Sequence, residues 1–167
     1  ALLTNQTGNY NTAAGVGSLR LNTASNNTAF GWTALNVNSS GGNNTAIGNS
    51  ALQSNTTASN NTAVGYQAGY GNTTGTQNVY VGVNAGQVGT TSSYNTGLGF
   101  GSLNQNTGSN NAASGYYALA SNSSGAYNTA HGSQALYSNT TASYNTALGY
   151  QALYGNTTAQ YNTCLLY

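Results

Sequence analysis

Charged side chains are almost absent from the 167-residue chain, which has one Lys or Arg (Arg20), no Asp or Glu, and a formal net charge of +1. In an ordinary soluble domain about 25% of the residues are charged. Without a basic patch the chain cannot gain affinity from a phosphate backbone, so we do not expect nucleic-acid binding. A nearly neutral surface also repels its own copies only weakly. We therefore expect self-association.

Other absences narrow the fold and the location. Cys164 is the single cysteine, so a disulfide within the chain is impossible. No apolar run approaches the ~20 residues of a membrane-spanning helix, so we expect no membrane insertion. The N-terminal residues, Ala-Leu-Leu-Thr, show no charged region followed by an apolar stretch. We expect that a signal peptide is absent or was removed.

Groups that carry acid–base chemistry are equally scarce. Without carboxylates and lysine, only His131, Cys164 and the tyrosines remain for general acid–base catalysis. His131 occupies a position where other repeats carry Ile, Val or Leu, which predicts a substituted core or wall position. Cys164 replaces an Ala, which predicts a small buried residue. One His and one Cys also cannot supply the ligands of a zinc site. We predict no enzyme activity, no catalytic residue, no cofactor and no metal site.

The chain is instead a tandem repeat. An Asn-Thr-Ala-like triplet recurs at intervals of sixteen or seventeen positions, and its Asn is found at residues 11, 27, 44, 61, 78, 95, 111, 128, 145 and 162. The consensus is N-T-A-φ-G-x-x-A-L-x-x-N-T-T-G-x-Y, where φ is mostly apolar; its positions are numbered 1 to 17 below. The single repeat domain 1–167 divides into a partial coil 1–10, nine full coils 11–161 and a partial coil 162–167. Because the sequence begins and ends inside a repeat, we expect a segment of a longer fibre or ends that meet neighbouring molecules.

The repeat predicts an all-β fold. Gly, Asn, Thr and Ser are weak helix formers, and the apolar positions 4, 8 and 9 do not follow helical spacing. Two short strands per coil are predicted, N-T-A-φ and x-A-L-x, with a turn at the repeated Gly and the N-T-T-G segment on the outside. Hairpins favour Asn-Gly or Asp-Gly, and the chain contains neither. This favours a parallel β-solenoid, similar to a β-roll, over a hairpin meander.

Equivalent residues of a solenoid stack into columns, and each column has a structural interpretation. The Asn of position 1 is expected either to form an amide ladder or to hold left-handed backbone at a corner. The Gly of position 5 is expected to provide a positive φ or a close backbone approach. The ladder is predicted at Asn27, Asn44, Asn61, Asn128 and Asn145, and the corner at Gly31, Gly48, Gly65, Gly132 and Gly149. The Ala and Leu core is thin, which again predicts association of several chains.

Tyrosines and sequons are the remaining candidates for recognition. Tyr94, Tyr127, Tyr144 and Tyr161 share position 17, where they are predicted either to join chains at an interface or to stack against sugar rings. Asn-x-Ser/Thr sequons recur in the closing turns, which predicts exposed acceptors if the host glycosylates secreted proteins. The sequon residues considered are Asn38, Asn55, Asn72, Asn122, Asn139 and Asn156.

The N-T-A-φ-G-x-x-A core resembles the head repeats of trimeric autotransporter adhesins, and it is even more similar to the N-T-A-φ-G-Y-Q-A-L repeats of tail-fibre-like and surface proteins of phages and bacteria. The adhesin resemblance implies a left-handed parallel β-roll trimerised around a shared axis, placed outside the cell on a cell surface or virion, with cell-surface glycans as partners. The unit here is longer than the adhesin repeat, so a homotrimer and a head-to-tail filament both stay open. We predict a structural extracellular fibre or filament with a role in adhesion. The alternative is a carbohydrate- or ice-binding solenoid, suggested by the Thr column of position 2.

Overall fold

The structure, a computed structural model, describes residues 1–166; Tyr167, the last residue of the predicted partial coil 162–167, lies outside the described residues. This part of the chain contains ten strands and no helix. The strands are β1 (Thr12–Ala14), β2 (Thr28–Phe30), β3 (Thr45–Ile47), β4 (Thr62–Val64), β5 (Val79–Val81), β6 (Thr96–Leu98), β7 (Ala112–Ser114), β8 (Thr129–His131), β9 (Thr146–Leu148) and β10 (Thr163–Leu165).

The strands form one parallel sheet in chain order, each bonded to the strand one repeat further on. The register pairs equivalent positions, so that Thr45 faces Thr62 and Ala46 faces Ala63. Consecutive coils therefore stack directly on one another, about 4.8 Å apart as in any sheet. The predicted all-β parallel solenoid, with one coil for each repeat of the sequence, is confirmed.

Each strand alternates its side chains between the two faces of the sheet, as a period of two requires. The Ala of position 3 points inward; Ala46, for example, is fully buried. The neighbouring Ile47 of position 4 is 41% exposed. The apolar side chains of position 4 therefore lie outside the core in most coils. They lie on the outer face of the sheet because they directly follow the inward Ala along the strand.

The core is built from positions 3, 8 and 9. Ala51 and Leu52 are fully buried, and Leu residues of position 9 supply most of the large buried side chains. Each buried Leu stabilises the coil by about 1.5–3 kcal/mol relative to exposure. The thin Ala and Leu core is therefore confirmed at positions 8 and 9.

The second predicted strand, x-A-L-x, is a turn, so the described residues form one strand per coil instead of two. Its backbone is left-handed at positions 7 and 9, with φ of 59° at Ser50 and 47° at Leu52. Alternation of this kind bends the chain away from an extended strand. Hydrogen bonds between coils nevertheless continue, since the Leu52 N–H donates to the Ala68 carbonyl at 3.0 Å. Left-handed backbone costs a non-glycine residue about 1–2 kcal/mol, which burial of the Leu offsets.

The Gly column of position 5 turns the chain out of each strand. Gly48 has φ of 137°, and a Cβ added there would overlap the backbone of Gly65 in the next coil. Positive φ and close approach thus both require glycine here. The five predicted corner residues, Gly31, Gly48, Gly65, Gly132 and Gly149, share this geometry, with φ between 125° and 137°.

Candidate functional site

The Asn of position 1 forms a ladder that links consecutive coils and also closes most of them; the side-chain nitrogen of Asn95 makes no closing bond to a described residue. Asn44 is fully buried, and its Nδ2 donates to the carbonyl of Ala58 at 2.8 Å. Its Oδ1 accepts the backbone N–H of Asn61, the equivalent residue one coil further, at 3.0 Å. The same pattern occurs at each predicted ladder residue, Asn27, Asn44, Asn61, Asn128 and Asn145. The left-handed residue is the preceding one, such as Asn43 or Asn60, which favours the ladder interpretation.

A second Asn ladder, which the sequence analysis missed, lies at position 12. Asn55 is fully buried, and its Nδ2 donates to Asn38 Oδ1 at 2.7 Å and to the Ala58 carbonyl at 3.0 Å. Ala58 therefore receives two amide donors, one from each ladder. In the sequence, this ladder is visible as the recurrence of Asn in N-T-T, a segment predicted to form an outer turn. Its Thr residues face outward, but its Asn points into the coil.

Burial of position 12 overturns the expectation of exposed sequons. Five of the six Asn side chains considered are fully buried and donate both to a neighbouring amide and to a carbonyl: Asn38, Asn55, Asn72, Asn122 and Asn139. Only Asn156, in the last full coil, is less buried. An amide that is buried and hydrogen-bonded in this way is not accessible for modification in the folded chain.

Hydroxyl groups form a third ladder on the closing turn. Thr56 Oγ1 donates to the carbonyl of Thr73 at 3.0 Å, and Thr73 Oγ1 donates to the carbonyl of Thr90 at 2.9 Å. The N-T-T-G segment is thus held by side chains as well as by its backbone. The shorter coils, which lack one residue in this segment, keep the position-12 Asn, which then bonds two residues ahead instead of three, as Asn106 does to Gly108. The turn absorbs a deletion without losing this bond.

The outer sheet face, defined by positions 2, 4 and 6, is the largest candidate interaction surface. Thr of position 2 flanks a stripe of apolar side chains at position 4, and large apolar or aromatic side chains follow at position 6. Phe30, Ile47, Val81, Leu98, Leu148 and Leu165 are exposed at position 4, and Val16, Trp32, Tyr66, Val83, Phe100, Tyr116 and Tyr150 at position 6. Monomeric proteins rarely expose contiguous apolar patches larger than a few hundred Å².

A depression in the outer sheet face lies at β7. Ala112 and Ser114 are smaller than the residues usual at positions 2 and 4, and the dip is bordered by Leu98 and His131. His131 is exposed there, so it is a wall residue of the outer face and not a core residue. Contrary to the prediction of a buried residue, Cys164 is only half-buried against the core, because β10 is the last strand of the described sheet. Residues 1–166 bring together no group of three His, Cys, Asp or Glu side chains that could hold a metal ion.

Three of the four predicted Tyr residues form a stack. The ring centroids of Tyr127 and Tyr144 are 5.0 Å apart with an interplanar angle of 3°, and those of Tyr144 and Tyr161 are 5.1 Å apart at 4°. The ring faces are turned toward one another, while the side chains remain exposed. Tyr94 is also exposed but stacks on no ring among the described residues, because Gln77 and Asn110 occupy position 17 in the adjacent coils.

The coil Asn78–Tyr94 departs from the consensus in its core. Tyr80 replaces the inward Ala of position 3 and is fully buried. Gly residues replace larger side chains around its ring: Gly69 and Gly86 stand at position 9 and Gly97 at position 3. Burial raises the pKa of Tyr80 to about 12, and the polar side chains of Ser92 and Asn95 beside the phenol partly offset the rise. The sequence signal was the coincidence of one large and three small substitutions.

The same coil interrupts the position-12 ladder. Gly89 replaces the Asn there, and Asn72 Oδ1, which would accept the missing amide, is buried without a hydrogen-bond partner among the described residues. The position-1 ladder continues unbroken through the coil, since Asn78 Oδ1 accepts the Asn95 N–H at 2.9 Å. The coils keep their register here without the position-12 ladder, through the position-1 ladder, the Thr73 hydroxyl and the backbone pairing of β5.

The remaining findings concern location and relatives. Within residues 1–166 there is no helix of the length and hydropathy that a membrane span requires. A comparison of the chain with protein-family models, with curated proteins and with solved structures finds no match.

Proposed function

We propose that the chain is a structural segment of an extracellular fibre or filament, on a cell surface or virion, whose copies associate through the outer sheet face and which contributes to surface adhesion. The observation that carries the proposal is the stripe of exposed apolar side chains along the sheet, on a chain of net charge +1.

The size of the stripe supports association. Ten strands spaced about 4.8 Å apart make a face roughly 45 Å long, and positions 2 to 4 span about 10 Å across it. That strip, which includes the Thr of position 2, covers on the order of 450 Å², within the range of the largest patch on a typical monomer, and the large side chains of position 6 extend it. A stable interface buries about 800 Å² per partner, so positions 2 to 4 supply roughly half of it and the side chains of position 6 must supply the rest.

The use of polar groups also favours a structural role. Asn amides and Thr hydroxyls that would otherwise recognise ligands are committed to holding coil on coil, as Asn44 and Thr56 show. The side chains that face outward from the sheet are mainly Thr and apolar residues. Lateral association covers this stripe, whereas head-to-tail pairing of sheet edges alone leaves it in water.

Electron microscopy and sedimentation velocity of the purified chain test this proposal. We expect association that increases with protein concentration and gives elongated particles, in which the copies contact one another through the outer sheet face. A monodisperse monomer at high protein concentration would contradict it.

A carbohydrate- or ice-binding solenoid is the second candidate. Thr96, Thr129 and Thr146 of position 2 point outward from the regular parallel sheet, which offers a row of hydroxyls at coil spacing. The neighbouring position 4 alternates between Leu98, Ser114 and His131, so its side chains do not extend the regular row. Thermal hysteresis with ice shaping, or binding to a glycan panel by the monomer, would favour this candidate over the fibre.

A further inference from the structure

The Tyr stack at position 17 has the geometry of three phenols arranged for reaction with one another. Tyr127, Tyr144 and Tyr161 are exposed, their neighbouring ring centroids lie 5.0 Å and 5.1 Å apart, and the rings are within 4° of parallel. Their backbones are equivalent, with φ of 58°, 61° and 59°. Hydrogen bonds hold these residues to the preceding coil, since the Tyr144 N–H donates to Ala126 at 3.1 Å.

We propose that Tyr127, Tyr144 and Tyr161 form an oxidative cross-linking site, where a one-electron oxidant such as a peroxidase with hydrogen peroxide couples neighbouring rings of one chain into dityrosine. Each of two phenols loses one electron and one proton, which gives two phenoxyl radicals. A carbon–carbon bond forms between the ring carbons ortho to the two oxygens. The two ortho hydrogens then move to the oxygens, which restores both aromatic rings. The two hydrogen atoms lost overall reduce one hydrogen peroxide to two waters.

The stack favours coupling inside the chain because it fixes the partner of each radical. A phenoxyl radical on Tyr144 has a phenol in contact on either side, so its encounter is intramolecular and needs no diffusion. Exposure of the ring edges gives an oxidant access. A link from Tyr127 to Tyr144 closes a covalent loop one repeat long, and such a loop opposes separation of adjacent coils. The proposal depends on the fold of the single chain and not on the fibre assembly.

The chain contains its own controls. Tyr94 has the same position in the repeat and is exposed, but its neighbours of position 17 are Gln77 and Asn110. It should therefore form no link within the chain at this column. Tyr137 and Tyr154 of position 10 are stacked at 5.2 Å and 5°, so the same geometry predicts a link in this pair, and Tyr144→Phe should leave it unchanged.

The test is oxidation of dilute protein by peroxidase and hydrogen peroxide, followed by separation of the monomer, dityrosine fluorescence and peptide mapping by mass spectrometry. We expect links between Tyr144 and Tyr127 or Tyr161, each with a mass loss of two hydrogens. In Tyr144→Phe the links of position 17 should disappear, because Tyr127 and Tyr161 are then about 10 Å apart, twice the coil spacing. In Tyr94→Phe the yield should stay within about twofold of the wild type.

Three results would overturn the proposal. One is persistence of position-17 links in Tyr144→Phe. Another is the appearance of Tyr94 in links within the monomer as often as Tyr144. The third is dityrosine found only between chains, with a yield that falls on dilution.

Discussion

Two coils of the solenoid, Asn44–Asn60 and Asn78–Tyr94, solve the same packing problem in different ways. The first has Ala46 at position 3, Leu52 at position 9 and an unbroken position-12 ladder. The second has Tyr80 and Gly86 at those core positions and lacks the Asn of position 12. Both keep the same strand register and the same position-1 ladder.

The difference shows which features of a coil are fixed. Side-chain bulk is redistributed in the core, as one Tyr with three surrounding Gly residues replaces a set of Ala and Leu. An interior packed at crystal-like density accepts one large side chain where the residues around it are small. The position-12 ladder is dispensable in one coil, whereas the position-1 ladder and the Gly corner persist in both.

The largest effect should come from Tyr80→Ala, which restores the consensus residue but leaves the space around Gly69 and Gly86 empty. Truncation of a large buried aromatic residue costs about 3–5 kcal/mol. The measurement is the free energy of unfolding in urea. A matched substitution at the surface and outside the outer sheet face, Tyr94→Ala, should cost much less, and equal losses for the two variants would contradict the packing account.

A slightly smaller loss is expected for Gly86→Leu, because a Cβ at this residue would overlap the Tyr80 ring. Overpacking of this kind costs about 1–3 kcal/mol or more. The double variant Tyr80→Ala/Gly86→Leu should be more stable than either single variant, since the introduced leucine side chain fills part of the space that the Tyr80 ring leaves and no longer overlaps a ring. A double-mutant cycle measures this coupling, and additive losses would show that Tyr80 and Gly86 do not compensate for each other.

Alkaline pH should weaken the irregular coil through Tyr80. Below pH 10 the phenol is neutral in both states, and its contribution to stability is complete. Between pH 10 and 12 the unfolded chain releases the proton while the folded chain retains it, because the folded pKa is about 12. Each pKa unit corresponds to about 1.4 kcal/mol, so on the order of 2 to 3 kcal/mol is lost by pH 12.

Tyr80→Phe isolates this contribution from that of the other tyrosines. The unfolding free energy of the wild type, measured relative to that of Tyr80→Phe, should fall as the pH rises from 10 to 12. A difference that stays constant over this range would mean that Tyr80 ionises as easily as an exposed phenol.

The smallest expected effect is a difference in stability between two variants of the position-12 ladder, one inside the ladder and one at its interrupted end. Asn55 both donates to Asn38 and accepts from Asn72, whereas Asn72 only donates, because Gly89 offers no amide. Asn55→Ala should therefore be less stable than Asn72→Ala by roughly one hydrogen bond, about 1 kcal/mol. Thermal unfolding of both variants measures the difference, and an equal or inverted ranking would contradict the ladder assignment.

The period of the sequence was sufficient to predict the solenoid, the length of its coils, the Gly corner and a structural role for the Asn of position 1, but not the choice between an amide ladder and left-handed backbone. It could not tell which side of the strand position 4 occupies, because an apolar residue at an interface and one in a core look alike in a single repeat. It also missed the turn at Leu52, since left-handed backbone at Leu contradicts local propensity and depends on burial. The inward Asn55 was hidden because its Thr neighbours are typical of a surface turn.

The Tyr stack and the packing around Tyr80 depend on which coils are adjacent. Tyr144 differs from Tyr94 only in its neighbours one repeat away, so a list of tyrosines does not separate them. Likewise, the sequence alone indicates that Gly69 and Gly97 leave the core underpacked. In the structure the ring of Tyr80 lies against both residues. Both features follow once the columns are aligned residue by residue.

Sedimentation velocity of a matched pair of charge variants tests the central claim that copies associate through the outer sheet face. Leu98→Lys places a charge in the middle of the stripe, and Thr141→Lys places the same charge on an exposed closing turn. We predict that the wild type and Thr141→Lys associate alike, while Leu98→Lys weakens association at least tenfold, which corresponds to about 1.4 kcal/mol. If both Lys variants weaken association equally, or if all three proteins remain monomers at every concentration, the outer sheet face is not the interface.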